Sequence, residues 1–144
     1  MSSSSSASRD GLERLFRPRT VAVVGASAAP EKAGHKLVEA ALGSGRTVFP
    51  VNPRADRILD LQVYPDLASL PEAPDLVMMG IPAAASPAAL QAAADRGAGA
   101  AIIVSGGFGE TGDGSAFQDA LAAICRETGI RLLGPNTSGF VGPA

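Results

Sequence analysis

The sequence predicts an α/β domain built as a doubly wound, parallel sheet of five strands or slightly more. Two observations carry this. Runs such as Thr20-Val21-Ala22-Val23-Val24 and Ala100-Ala101-Ile102-Ile103-Val104 are apolar throughout, without alternation, as strands buried on both faces are. Segments of helical period separate them, joined by short connections rich in glycine and proline. Strand and helix in alternation require right-handed crossovers that cover both faces of a parallel sheet.

The elements follow in order. Residues 1–10 form a serine-rich polar tail without the apolar core of a signal peptide, and residues 11–144 form the domain. Leu12 to Phe16 can make one helical turn before Pro18. The first strand is Thr20 to Val24 and stops at Gly25-Ala26-Ser27. A helix is expected from about Pro30, suited to a first helical position, to Leu42, with Gly43 and Gly45 as stops. Leu37, Val38, Ala41 and Leu42 share its apolar face. The second strand, Thr47 to Val51, ends at Asn52-Pro53. A looser stretch follows, with a short helix around Asp66 to Leu70.

The third strand, Asp75 to Ile81, should lie beside the first, and Pro82 closes it. Ser86-Pro87 predicts an N-cap and first turn, leading a helix to Arg96 with Gly97 as its stop. The fourth strand, Ala100 to Val104, enters the glycine-rich run Ser105-Gly106-Gly107-Phe108-Gly109. Ser115 with Gln118 reads as a capping box that opens a helix carrying Phe117, Leu121, Ile124 and Cys125 on one face. Gly129 ends that helix. Ile130 to Leu133 forms the fifth strand and runs into Gly134-Pro135-Asn136.

Composition narrows the function. The 144 residues suit one domain, and 46% apolar with 18% charged residues suffices for a core. A net charge of −2 gives no basic field for nucleic acid or an anionic membrane, so any anion must be held by local groups. No apolar run approaches the ~20 residues of a membrane span. The lone Cys125 excludes an internal disulfide, and a cytoplasmic location is expected. No metal-ligand cluster and no Ser/His/Asp spacing is present, so neither a catalytic residue nor a metal site is assigned. Cys125 belongs to the core. His35 is expected at the surface or in a cap.

In a Rossmann-like sheet of this kind, ligands sit outside the carboxyl ends of the strands, where strand order reverses. The loops predicted there hold most of the unusual residues. Gly25-Ala26-Ser27 feeds a helix, so backbone N–H groups and the helix dipole can meet a phosphate, with Ser27 adding a small hydroxyl. Lys32 and Lys36, one helical turn apart, can each add a cation. A plain strand–helix turn has the same outline. A nicotinamide fingerprint wants three glycines and an acid after the second strand. Here Ser27 and Pro30 take the second and third glycine positions, and Asn52-Pro53-Arg54 replaces the acid. That disfavours NAD. Arg54, with Arg57 nearby, suits a ribose bearing a phosphate, as in NADP or coenzyme A, and the residues alone leave those two level.

Taken in order, Val23-Val24-Gly25-Ala26-Ser27, Pro50-Val51-Asn52-Pro53, Ile81-Pro82-Ala83, Ser105 to Glu110 and Gly134-Pro135-Asn136 resemble the CoA-binding domain of the nucleoside-diphosphate-forming acyl-CoA synthetases. These are the ADP-forming acetate–CoA ligases and relatives of the succinyl-CoA synthetase alpha subunit. The resemblance spans about Leu12 to Pro143 and favours CoA over NADP. It implies that Gly25, Ala26 and Ser27 meet the CoA phosphates and that Val51, Asn52 and Pro53 line the adenosine end. It further implies that Ile81, Pro82 and the loop of Ser105, Gly106 and Gly107 follow the pantetheine. Pro135 and Asn136 are counted with the cofactor-binding residues, Asn136 as a backbone cap or ligand contact, and Lys32, Lys36 and Arg54 are the candidate cations.

The family's phosphorylated histidine lies in a second domain, beyond the turn at Pro135, and is not expected in this chain. The resemblance therefore implies a CoA-holding module that works with further ligase domains or subunits, of phosphohistidine and ATP-grasp type. A stand-alone CoA-binding regulatory protein and an NADP-binding oxidoreductase or redox sensor are the competing readings.

Overall fold

The computed structural model describes residues 17–54, 57–104, 112–133 and 140–141. The tail, the turn from Leu12 to Phe16, the run from Ser105 to Glu110 and the Gly134-Pro135-Asn136 turn lie outside the described residues. Strands β1 (Thr20–Val24), β2 (Thr47–Val51), β5 (Leu76–Met79), β6 (Ala100–Ile103) and β7 (Arg131–Leu133) form the parallel sheet. An edge strand β8 (Phe140–Val141) pairs antiparallel with β7, and the order is β2-β1-β5-β6-β7-β8. Helices α1 (Ala33–Gly43), α2 (Ser86–Arg96) and α3 (Gly112–Thr128) connect the strands.

The side on which each connection packs follows from the handedness rule. The chain moves one way from β1 to β2 and the other way from β2 to β5, β6 and β7. Right-handed crossovers therefore place α1 on one face and the later connections on the opposite face. The two cores agree. Val21, Val23, Val48 and Leu76 pack with Val38 and Ala41 of α1. Ala22, Phe49, Val77, Met79 and Ile103 pack with Leu90 and Ala93 of α2 and with Leu121 and Cys125 of α3. Cys125 is buried, as expected. Burial lifts its thiol above the usual cysteine range, a shift that the neighbouring Arg126 only partly opposes.

Several boundaries differ from the sequence expectation. Helix α1 begins at Ala33 and not at Pro30, because the Ser27 hydroxyl accepts from Ala29 N at 3.1 Å and Lys32 N donates to Ala29 O at 3.0 Å. These two bonds spend residues 27–32 on turns. Ser86 is the first residue of α2 rather than its cap. A 3₁₀ turn, Ala83–Ala85, leads into the helix, and Ser86 is fully buried. Helix α3 begins at Gly112, so Ser115 lies inside it rather than at its N-cap position.

Between β2 and β5 the chain makes a hairpin of β3 (Arg57–Ile58) and β4 (Leu61–Gln62), then a 3₁₀ turn, Leu67–Ser69. That turn matches the short helix expected near Asp66. Tyr64 pairs with Val51 along the outer edge of β2, donating to Pro50 O and accepting from Asn52 N, both at 2.9 Å. This pairing carries the segment Pro65 to Leu67 up beside the carboxyl end of β2.

Candidate functional site

Crossovers diverge on either side of the β1–β5 pair, so the sheet opens a crevice at the carboxyl ends of β1 and β5. A cleft of about 340 Å³ lies there, toward the α2 side. Its walls come from five places. Val24 and Gly25 end β1, Val51 to Pro53 end β2, and Ile81 follows β5. Pro65 to Leu67 and the small residues Ala89 and Ala92 of α2 complete it. Most of that lining is apolar, as a flat aromatic base requires.

The first loop forms the floor of the crevice. Gly25 has φ +85°, and a Cβ there would stand 2.5 Å from Gly80 O. A Cβ on Gly34 would stand 1.8 Å from Gly25 O. Only glycine therefore lets β1, α1 and the end of β5 meet so closely. Gly34 fills the close-packing role that the sequence reading sought at position 30. It is the only glycine in the first turn of α1, but that alone does not announce the contact with Gly25 O.

The other carbonyls of the loop are held too. Asn52 Nδ2 donates to Ala26 O at 2.7 Å, and His35 Nδ1 lies 3.0 Å from Ser27 O. The other end of the Asn52 amide accepts from Arg54 N at 2.7 Å. Asn52 thus stands where a nicotinamide site would keep its acid, and both ends of its amide are spent, one on joining its loop to the first loop and the other on the turn of its own loop. His35 is buried, contrary to the expected surface or cap position, because the start of α1 presses it against the loop.

Of the expected site residues, the cleft wall unites Gly25, Val51, Asn52, Pro53 and Ile81. Ala26 is fully buried behind it and can offer only backbone groups. Ser27 is half-buried on the α1 side of the corner. Its Oγ accepts from Ala29 N and retains a proton that a hydroxyl can donate. Lys32, in the N-cap position of α1, and Lys36 are exposed and do not line the cleft; nor does exposed Pro82. Arg54 is exposed at the lip, whereas the Arg57 guanidinium donates to Asp60 O at 2.6 Å within the hairpin turn. Ser105, Gly106, Gly107, Pro135 and Asn136 lie outside the described residues.

Sequence reasoning missed Asp66, which brings a carboxylate to the cleft from the 3₁₀ turn rather than from the end of β2. One of its oxygens is committed, accepting from Ser69 N at 2.9 Å and Ser69 Oγ at 2.6 Å. Among the described residues, no group of three or more His, Cys, Asp or Glu could hold a metal, and no helix is long and apolar enough to cross a membrane.

Comparison with known proteins gives a consistent picture. A family model described as "CoA binding domain" matches residues 19–143. An ADP-forming acetate–CoA ligase II of Archaeoglobus fulgidus is 38% identical over 133 residues, which are 90% of this chain and 20% of that protein. The alpha subunit of an ADP-forming acetate–CoA ligase I of Pyrococcus furiosus is 34% identical over 137 residues, 90% of this chain and 30% of the subunit. The structure of a dinucleotide-forming acetyl-coenzyme A synthetase 1 of Ca. Korarchaeum cryptofilum, in complex with phosphate and ADP, superposes with TM-score 0.81 at 32% identity. It is matched over 88% of this chain and 28% of its own. The chain therefore spans less than a third of the length of these proteins.

Proposed function

The chain belongs to the CoA-binding domain family, and from that premise we propose that the cleft at the ends of β1, β2 and β5 holds coenzyme A. The adenine lies between Val51-Asn52-Pro53 and the small residues of α2. The diphosphate lies over Gly25-Ala26-Ser27, and Arg54 meets the ribose 3′-phosphate. Lys32 and Lys36 add positive potential from the first turns of α1. The pantetheine leaves along Ile81 and Pro82, and Ser105, Gly106, Gly107, Pro135 and Asn136 are its further candidate contacts.

One observation carries this reading: an apolar slot of nucleotide size adjoins a corner at which the carbonyls of Gly25, Ala26 and Ser27 are engaged or covered. At the start of α1, His35 N already turns back to Lys32 O at 3.1 Å, and Lys32 in the N-cap position makes no side-chain cap to the amides before His35. Such a corner offers donors and few acceptors, which suits an anion.

In this reading the chain supplies the CoA-binding part of an acyl-CoA ligase that forms a nucleoside diphosphate. It holds CoA so that the thiol sulfur can take an acyl group from an acyl phosphate, releasing phosphate. The phosphohistidine and nucleotide-grasping parts belong to other domains or subunits. The nearness of ADP-forming ligases among the relatives supports this assignment.

Isothermal titration of the chain with CoA tests it. Ser27→Glu places a carboxylate against the diphosphate. At ~4 Å and an effective dielectric near 20 the repulsion is about 4 kcal/mol, so binding should weaken by at least about 100-fold. Unchanged affinity in that variant would show that the diphosphate lies elsewhere.

A further inference from the structure

We propose that His35 is a positioning residue for CoA binding, acting through the Ser27 carbonyl to aim the loop amides at the diphosphate. The inference rests on the CoA reading above and deepens it. His35 lies in the first turn of α1, is 7% exposed, and follows Gly34, the residue packed against Gly25 O. Its Nδ1 is 3.0 Å from Ser27 O. A carbonyl only accepts, so Nδ1 carries the proton. The other ring nitrogen, Nε2, faces Glu39 Oε1 at 3.8 Å, a contact that becomes an ion pair when the ring is protonated.

The consequence follows from peptide geometry. In a planar trans peptide the C=O and the next N–H point in opposite directions. Asn52 draws Ala26 O to one side, so Ser27 N–H points away from Asn52. His35 draws Ser27 O inward, so Ala28 N–H points away from the buried imidazole, and Ala28 is exposed. Without the imidazole donor, the peptide between Ser27 and Ala28 can rotate. Its carbonyl would then face the anion in place of the N–H, turning attraction into repulsion. Asn52 and His35 therefore divide the task, one for each of the two peptides, from opposite sides of the loop.

The test compares three variants of the full chain with the unaltered protein, by calorimetry with CoA and by the amide resonances of Ser27 and Ala28. His35→Asn keeps a donor near the Nδ1 position. His35→Gln moves the donor one methylene away. His35→Leu removes it and keeps the volume. His35→Asn should bind CoA within about 3-fold of the unaltered chain and retain the CoA-induced shifts of both amides. His35→Gln and His35→Leu should each weaken binding by about tenfold, the cost of one buried carbonyl left unpaired, and lose the Ala28 shift. If His35→Leu does not fold, the Asn and Gln pair still decides.

Equal binding by Asn and Gln variants, or full binding by His35→Leu, would overturn the proposal and leave the CoA reading intact. A neutral ring with its proton on Nε2, seen in long-range ¹H–¹⁵N spectra, would also overturn it. Failure of the unaltered chain to bind CoA would overturn both.

Discussion

At the scale of single residues, the site depends on two glycines whose absent side chains matter more than any present one. Gly25 was legible from the sequence, because a glycine that ends a buried strand and precedes a helix marks a tight corner. Gly34 was not, because its requirement comes from the approach of α1 to Gly25 O, a contact no local pattern announces. Gly34→Ala tests this. Its Cβ has no room, so α1 must withdraw from the corner and carry His35 with it. We expect a loss of at least about 2 kcal/mol in urea unfolding, in the range of overpacked cores. CoA affinity should fall with it. A variant of normal stability and affinity would show that α1 moves freely at its start. Asn52 teaches a similar lesson. The sequence showed that it is not an acid, but only the structure shows that its amide joins two loops.

At the scale of elements, the parallel strands were legible because buried strands carry an unbroken apolar signal, and β2 falls on the expected residues. The helix starts were less legible. Pro30 and the pair of Ser115 and Gln118 fit local rules for a helix N-terminus, but competing turn bonds at 27–32 and an earlier start at Gly112 prevail. The hairpin of β3 and β4 was missed for a physical reason. Its two turn residues, Leu59 and Asp60, have φ +50° and +66°, a conformation usually marked by Asn-Gly. Holding two L side chains there costs about 1–2 kcal/mol each. Asp60→Gly should therefore raise the thermal midpoint, by an amount equivalent to about 1 kcal/mol, without changing CoA affinity. A lower midpoint would show that the Asp60 side chain itself supports the turn. The carboxylate of Asp66 was hidden similarly. It reaches the cleft only because Tyr64 pairs with Val51 at the edge of the sheet.

At the scale of the whole molecule, strand order, handedness and the place of the crevice form one argument. The reversal of direction at β1 sets the faces on which the helices pack and opens the cleft between the diverging crossovers. Residues alone left CoA and NADP level, and the ordered set of loops together with family membership favours CoA. The central claim is that this cleft selects CoA, and a thermal melt of the chain with CoA and with NADPH tests it most directly. Ligand at about 100 times its dissociation constant should stabilise the fold by about 2.7 kcal/mol. The account predicts a clear rise in the midpoint with CoA and none with NADPH at equal concentration; a rise with NADPH and none with CoA would contradict it.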